Sequence, residues 1–332
     1  MSILITGGAG YIGSHVALSA LDKGHKIVLI DNLQNSEFSV IDTISKLSST
    51  QINFFEVDIL DKPEVMKILK KFKIKKVIHL AGYKSIQESF DKPKKYHLNN
   101  VTGTKRLIEA SIASQVEKFI FSSSASVYGA PKNLPCTEED ELHPNNPYSK
   151  SKLDAENICI NSSKLKDCNI SFSILRYFNP MGSHKSHMIG EDIMNSYNLM
   201  PMILKVALGM EKRLNIFGND FNTFDGFGIR DFIHISDLAE CHNLFINDSK
   251  EKAQVVLYNL GIGKGYSVNQ VIENFDKVSG MKLSTDIKPR RKGDLSEIYA
   301  DVTKLKKEKY WCPKFDLYDM VKDSWLYAKK KY

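Results

Sequence analysis

Tryptophan, cysteine and arginine are the scarce residues of this chain. Of 332 positions, two are Trp, five are Cys and six are Arg (Arg106, Arg176, Arg213, Arg230, Arg290, Arg291), beside forty lysines. The cysteines (Cys136, Cys159, Cys168, Cys241, Cys312) are odd in number, scattered and without a CxxC pair. That argues against a disulfide framework or a zinc site and points to a reducing, cytoplasmic setting. No run approaches the ~18–20 apolar residues of a membrane span, so no membrane partner is expected. The first apolar residues, Ile3-Leu4-Ile5, pass straight into Thr6-Gly7-Gly8, which reads as strand and turn and not as a signal core. With 26% charged and 42% hydrophobic residues, disorder, collagen and coiled coil are excluded. The net charge of +7 is a lysine charge. Runs such as Lys70-Lys71-Phe72-Lys73 and Lys329-Lys330-Lys331 read as solvated faces, and no Arg-rich or aromatic-interleaved stretch supports nucleic-acid binding. His184 and His187 have no third ligand nearby, so no metal is expected.

What is present is alternation. Apolar runs at 2–6, 26–30, 53–57, 77–81, 118–122 and 171–175 read as strands, with helical patterns at 12–23, 62–72, 99–114 and 148–163 between them. Nearly continuous apolar strands separated by helices predict a parallel sheet covered on both faces. After about residue 179 the rhythm changes to longer segments bearing Gly, Asn and Asp. At ~150 residues per domain the length suits two domains. The expected division is 1–178 and 179–332, with a segment at about 229–262 able to return to the first domain. Trp311 and Trp325 read as packing residues.

The opening Thr6-Gly7-Gly8-Ala9-Gly10-Tyr11-Ile12-Gly13 follows a strand and opens a helix. Gly7, Gly10 and Gly13 permit a tight turn, close approach of backbone N–H groups to a pyrophosphate, and close packing of helix on strand. A second strand ends at Asp31, 18 residues past Gly13, where a carboxylate accepts both ribose hydroxyls of an adenosine and repels a 2′-phosphate. NAD is the cofactor this implies; a tight turn in some other α/β protein is the plainer reading. The fold class is therefore α/β, a Rossmann-type doubly wound parallel sheet with a smaller mixed α/β substrate-binding domain. Ligands bind at strand C-termini in such sheets. The expected cofactor contacts are Gly7, Gly10, Tyr11, Ile12, Gly13, Asp31, Asn32, Asp58, Ile59, Leu80, Ala81, Gly82 and Ser122. His79 reads as a packed histidine.

Two further segments carry chemistry. Phe121-Ser122-Ser123-Ser124-Ala125-Ser126-Val127-Tyr128-Gly129 is a strand ending in hydroxyls, and Pro147-Tyr148-Ser149-Lys150-Ser151-Lys152 opens a helix. Tyr148 and Lys152 stand at i and i+4 on one helix face, 24 residues beyond Ser124 in the case of the tyrosine. A phenol titrates near pH ~10 and is a poor base at neutral pH. A neighbouring ammonium and a positive nicotinamide ring are expected to favour the phenolate. Tyr148 then takes a substrate hydroxyl proton while the adjacent carbon gives up hydride, and Ser124 holds the same oxygen.

These segments resemble the extended short-chain dehydrogenase/reductase superfamily, and within it the UDP-glucose 4-epimerase family. The resemblance covers nearly the whole chain. Besides the motifs above it rests on Asn99-Asn100-Val101, Arg176-Tyr177-Phe178-Asn179-Pro180, Asn198-Leu199-Met200-Pro201, Ile216-Phe217-Gly218-Asn219-Asp220, Gly228-Ile229-Arg230-Asp231-Phe232-Ile233-His234 and Arg290-Arg291-Lys292-Gly293-Asp294. It implies that Lys84, Asn99, Tyr148, Lys152 and Tyr177 help hold NAD, with Ser124 and Tyr148 facing the hexose. It implies also that Asn179, Asn198, Leu199, Phe217, Arg230, Arg291, Asp294 and Ile298 bind a UDP-sugar. Arginine forks suit a diphosphate.

Related dehydratases resemble one another in carrying Asp-Glu after the hydroxyl residue, and the decarboxylases Ser-Glu. Here Ala125-Ser126 stands in that place, without a carboxylate. The resemblance therefore implies an isomerase: oxidation at C4, turnover of a 4-keto sugar, and return of hydride to its other face. The alternatives are a related epimerase, such as one acting on UDP-glucuronate, and a catalytically silent NAD-binding regulator. Counting four past Asp294 puts Ile298 at the position where members restricted to glucose and galactose tend to carry Tyr, which implies room for an N-acetyl group. A slip of one residue would put Tyr299 there instead. Helices 99–114 and 148–163 carry apolar faces that core packing explains; the resemblance implies that they pair in a homodimer.

Overall fold

The structure, a computed structural model, describes residues 2–248, 254–291 and 293–332. Lys292 of the arginine motif, and residues 249–253 within the segment 229–262, lie outside the described residues. The chain divides into two compact units. The first comprises Met1–Gly129, Glu141–Tyr177 and Ala239–Tyr258; the second comprises Ala130–Asp140, Phe178–Leu238 and Asn259–Tyr332.

The first unit is built on strands β1 (Ser2–Thr6), β2 (Lys26–Asp31), β3 (Asn53–Glu56), β4 (Lys76–His79), β5 (Lys118–Ser124) and β6 (Ser171–Tyr177). Each pairs with its neighbour in parallel, in the order β6-β5-β4-β1-β2-β3. A seventh strand, Val255–Leu260, joins the sheet at the β6 edge. Helices α1 (Tyr11–Asp22), α2 (Ser39–Ser48), α3 (Lys62–Lys71), α4 (Ile86–Asp91), α5 (Pro93–Tyr96), α6 (Thr104–Ala113) and α7 (Pro147–Ser163) connect them. The core includes Leu4, Val28, Val77, Phe119 and Phe172 from the strands, with Ile68, Leu107 and Ala155 from the helices. Burying a side chain of the Val, Leu, Ile or Phe class is worth about 1.5–3 kcal/mol. The order reverses between β1 and β4, so the crevice for a ligand opens at their C-terminal ends.

The larger departures from the expected element boundaries each have a local reason. Strands β5 and β6 run two residues further than expected, because they stay in register to the pair Ser124–Tyr177. Strand β4 stops at His79. There the chain turns away as Leu80 N bonds to Thr6 O at 3.2 Å and Ala81 N to Thr6 Oγ1 at 3.3 Å. The expected helix 99–114 is a π-helical turn, His97–Gly103, followed by α6. In that wide turn Asn100 accepts from Tyr83 N at 2.9 Å and donates to Ser151 of α7 at 3.0 Å. π-turns of this kind recur at functional sites.

The second unit has a small mixed sheet centred on β9 (Ile229–His234). Strand β7 (Asn179–Met181) and strand β13 (Glu297–Ile298) pair with β9 in parallel, and β11 (Gly265–Ser267) pairs with it antiparallel. A separate parallel pair joins β8 (Leu214–Phe217) to β12 (Thr285–Lys288). Helices α8 (Leu199–Ala207), α10 (Val268–Ser279) and α12 (Leu317–Lys331) supply Ile203, Val271, Phe275 and Met320 to its core. The remaining helices are α9 (Ile235–Ile246) and α11 (Thr303–Lys309). Residues 130–140 belong to this unit because their backbone is tied to it. Cys136 N donates to Tyr299 O at 2.8 Å, Asp301 N donates to Cys136 O, and Asn259 N donates to Glu138 at 2.8 Å.

Candidate active site

In the first unit, Gly7 takes a φ of +69°, and a Cβ there would lie 2.7 Å from Ala81 N. A Cβ on Gly13 would lie 2.0 Å from Gly7 O, so helix and turn meet backbone to backbone. Helix α1 begins at Gly10 with no side-chain cap and no acidic residue in its first turn. Its positive end is therefore offered to an anion. Asp31 organises the wall of this crevice: Oδ2 accepts from Ala9 N, and Oδ1 from Leu33 N and Ser36 Oγ, each at 3.0 Å. Asn32 donates to Asp58 at 2.8 Å, and Asp58 accepts from Leu60 N at 2.8 Å.

The cleft so formed is lined by Gly7, Gly10, Asp31, Asn32, Ile59, Leu80, Ala81, Gly82 and Asn99. Tyr11, Ile12 and Gly13 follow in α1, Asp58 adjoins Ile59, and Lys84 is exposed in the loop beyond Gly82. The sequence reading missed Asn35, Ser36 and Tyr83, which also line the cleft. The signal for Ser36 was its place five residues after Asp31; Tyr83 carried none. This cradle, with its uncapped helix end and ribose-sized carboxylate wall, fits a dinucleotide.

Beside the cleft lie the predicted catalytic residues Ser124, Tyr148 and Lys152. Asn146 caps α7, accepting from Ser149 N at 2.8 Å while Ser149 Oγ accepts from Asn146 N at 3.3 Å; Pro147 occupies the first turn. That capping box sets Tyr148 at the helix start. The Ser124 hydroxyl accepts from Ser126 N at 3.2 Å and adjoins the Tyr148 phenol, whose pKa it lowers. The Ser126 hydroxyl is buried without a partner, a feature the sequence reading did not single out. Lys152 is buried, and its ammonium donates to Ser122 O at 2.8 Å. Burial pushes it down to about 8, against the Glu156 carboxylate, which raises it.

The phenol differs from expectation. Burial pushes Tyr148 above its ordinary value, and the opposing contribution comes from Ser124, because Lys152 is turned to the Ser122 carbonyl. The Ser122 side chain adjoins the Tyr177 phenol, which lies 2.5 Å from His242 Nε2. His79 is buried between Thr6 Oγ1 (2.8 Å) and Thr104 Oγ1 (2.9 Å), and burial, then Lys152, pushes it down to about 3. Its partners assign the Nε2–H tautomer, since Thr104 Oγ1 donates to Asn100 O. It is a neutral packed histidine.

In the second unit, Arg291 lies 4.8 Å from the Phe217 ring and makes a two-pronged bond to Asp294, Nε to Oδ2 at 2.9 Å and Nη2 to Oδ1 at 3.2 Å. Arg230 donates to Ile229 O at 2.8 Å; burial lowers its pKa while Asp294 raises it. Ile298 pairs with Arg230 in register and is buried, so the two side chains share one face of the sheet. Tyr299 turns to the opposite face, beside Gly265. Asp231, behind Arg230, accepts from Ile262 N (2.9 Å), Gly263 N (3.0 Å) and Ala300 N (3.1 Å), and burial pushes it up to about 6. Asn179 is exposed on β7, and Asn198, just before Leu199 opens α8, donates to Glu191 at 2.9 Å. Phe217, Arg230, Arg291, Asp294 and Ile298 are thus linked, while Asn179, Asn198 and Leu199 stand on other elements of the unit. Among the described residues no group of three or more His, Cys, Asp or Glu is placed to hold a metal, and no helix is long and apolar enough to cross a membrane.

A family model described as GDP-mannose 4,6 dehydratase matches residues 4–324. A UDP-glucose 4-epimerase of Yersinia enterocolitica is 44% identical over 332 residues, covering 99% of this chain and 98% of its own. The crystal structure of UDP-glucose 4-epimerase from Bifidobacterium longum in complex with NAD+ and UDP is 38% identical, with a TM-score of 0.95 over 100% of this chain and 99% of that one. The enzyme from Stenotrophomonas maltophila, with bound NAD and formylated UDP-arabinopyranose, also gives 0.95, at 36% identity, over 99% and 98% of the two chains.

Proposed function

The chain belongs to the UDP-glucose 4-epimerase family, and on that premise we propose that it is an NAD-dependent isomerase interconverting UDP-glucose and UDP-galactose. NAD, when bound, would supply reversible hydride transfer at C4 of the sugar. Gly7, Gly10 and the start of α1 would hold its pyrophosphate, with Asp31 on the adenosine ribose and Lys152 and Tyr177 toward the nicotinamide. Tyr148 takes the proton of the 4-hydroxyl and later gives it back, Ser124 holds that oxygen, and the Lys152 ammonium supplies positive charge behind them. Ser126, with its unpartnered buried hydroxyl, has a bond to offer the sugar. Neither Ala125 nor Ser126 carries an acid to expel water, so the 4-keto sugar turns over and takes the hydride on its other face.

Arg230 and Arg291 suit a diphosphate, with Phe217, Asp294, Asn179, Asn198 and Leu199 completing the UDP-sugar site. Ile298, on the face of Arg230, leaves room for an N-acetyl group at C2, so UDP-GlcNAc is a second substrate. A homodimer through α7 and the helix after the π-turn belongs to this reading. So does a cytoplasmic location, with which five free thiols, four of them buried, accord.

The observation that carries the reading is the placing of Ser124 beside the Tyr148 phenol at a strand end without a carboxylate. Purified enzyme incubated with UDP-galactose and no added oxidant should yield UDP-glucose. Net NADH, or loss of water from the sugar without UDP-glucose, overturns it.

A further inference from the structure

Helix α7 carries Tyr148, Lys152 and Glu156 at successive i, i+4 steps of one face, and the third has no role in the chemistry above. Glu156 is 1% exposed, and its carboxylate is fully engaged. Arg176 of β6 reaches it with Nε (3.0 Å) and Nη2 (2.8 Å), and Ser123 of β5 donates to Oε1 at 2.5 Å. The third guanidinium nitrogen, Nη1, donates to Tyr128 OH at 3.1 Å, and the guanidinium lies 4.9 Å from the Tyr128 ring. Ser123 and Arg176 are cross-strand partners. One buried carboxylate therefore joins α7 to the last turn-ward residues of two strands.

Ser123 sits between two working groups. The carbonyl of Ser122 anchors the Lys152 ammonium, and the hydroxyl of Ser124 adjoins the Tyr148 phenol. We infer that Glu156, Arg176 and Ser123 form a positioning unit for the reaction: the carboxylate clamps the end of β5 to the face of α7 that carries Tyr148 and Lys152. This rests on the proposed epimerase chemistry and names residues that act through Lys152, Ser124 and Tyr148. The physics favours a functional reading over bulk stability, because a buried ion pair of this kind is seldom more stabilising than apolar packing of the same volume.

The groups around Lys152 agree. From β4, His79 faces it and is held neutral by burial. From α7, Glu156 raises it. From β6, Arg176 is bound to that carboxylate and Tyr177 adjoins Tyr148. Tyr128, in the 3-10 turn Ala125–Tyr128, engages Arg176. From β5, Phe121 presents its ring 5.2 Å from the ammonium. Glu156 thus provides the negative charge on Lys152.

The test uses the holoenzyme and two variants, Glu156→Gln and Ser123→Ala. The Lys152 titration is followed by 15N NMR of lysine ammonium groups, its signal assigned with Lys152→Arg. Glu156→Gln should lower the Lys152 midpoint by about half a unit or more. Its kcat for UDP-galactose should fall about tenfold with KM within about twofold, and the alkaline limb of activity should move down with that midpoint. Ser123→Ala keeps the ion pair, so the limb should stay while kcat falls about tenfold through a loosened strand end. If Glu156→Gln does not fold, Glu156→Gln with Arg176→Met removes the unmatched charge and is read the same way. An unchanged Lys152 midpoint, or wild-type kcat in Ser123→Ala, overturns the inference whatever the melting temperature. Should the wild type fail to interconvert the sugars, the functional reading falls, and the midpoint alone judges the clamp.

Discussion

Replacing Tyr148 by Phe removes one oxygen and keeps the ring. That ring packs edge-on to Tyr96, with centroids 6.4 Å apart and planes at 84°, and Phe preserves the contact. Ser124 loses its neutral neighbour, the phenol, and burying that phenol carries its own desolvation cost, so the net change is about 1 kcal/mol or less. For a chain of 332 residues, about 1 kcal/mol moves the melting midpoint by no more than about 2 °C. Activity should respond on another scale. Positioned acid–base groups contribute about 10²–10⁴ in rate, or about 2.7–5.4 kcal/mol of barrier. The assay follows conversion of UDP-galactose to UDP-glucose, with NAD content read by absorbance after denaturation. The expected result is a kcat lowered by at least about a hundredfold in a protein that keeps its NAD and its melting point. A kcat within about tenfold of wild type, with fold and NAD intact, would refute the assignment of Tyr148 as the proton carrier.

Four further outcomes follow from the geometry. Asp31→Ala removes the acceptor for Ala9 N, Leu33 N and Ser36 Oγ, so NAD should be lost on gel filtration where the wild type retains it; full retention counts against the ribose role. Arg291→Ala breaks the fork to Asp294 and the contact with Phe217, and should raise KM for the UDP-sugar about tenfold or more with NAD content unchanged. Ile298→Tyr should cut the UDP-GlcNAc rate about tenfold or more while sparing UDP-glucose; parallel losses on both sugars would show that Ile298 does not border the C2 group. Lys152, pushed down to about 8, should give activity a falling limb as pH rises through that value and the ammonium is lost; a profile flat well above it would refute this. The linked stability term has the opposite sign. An unfolded lysine titrates near ~10.4, so between about 8 and that value the folded state binds fewer protons, and the contribution of Lys152 rises with pH there.

The parts of the fold that were legible in the sequence are those where one local rule decides. Continuous apolar runs bounded by helices marked β1 to β6, and the glycines at 7, 10 and 13 marked the turn because a Cβ there meets backbone. The missed features depend on partners distant in sequence. Residues 130–140 leave their neighbours because Cys136 and Glu138 bond to 299, 301 and 259, which no local pattern announces. The π-turn arises from Asn100 reaching both Tyr83 and Ser151, across gaps of 17 and 51 residues. Which of Ile298 and Tyr299 shares a sheet face with Arg230 is a question of strand parity, and the register of Ile298 with Arg230 answers it.

Parity also explains what the three serines at the end of β5 do. Read as a string, Ser122-Ser123-Ser124 is a single cluster of hydroxyls. In a strand, successive side chains point to opposite faces, so the cluster must split. The hydroxyls of Ser122 and Ser124 go with Tyr177 and Tyr148, toward the reacting groups, while Ser123 goes with Arg176 to the Glu156 carboxylate. The backbone carbonyl of Ser122 adds a separate task, holding Lys152. This arrangement needs β5 to remain a strand through Ser124. Had it ended at Ser122, as the apolar run suggests, Ser123 and Ser124 would have no fixed faces. The two extra strand residues are what let one short hydroxyl run face both Tyr148 and the Glu156–Arg176 pair.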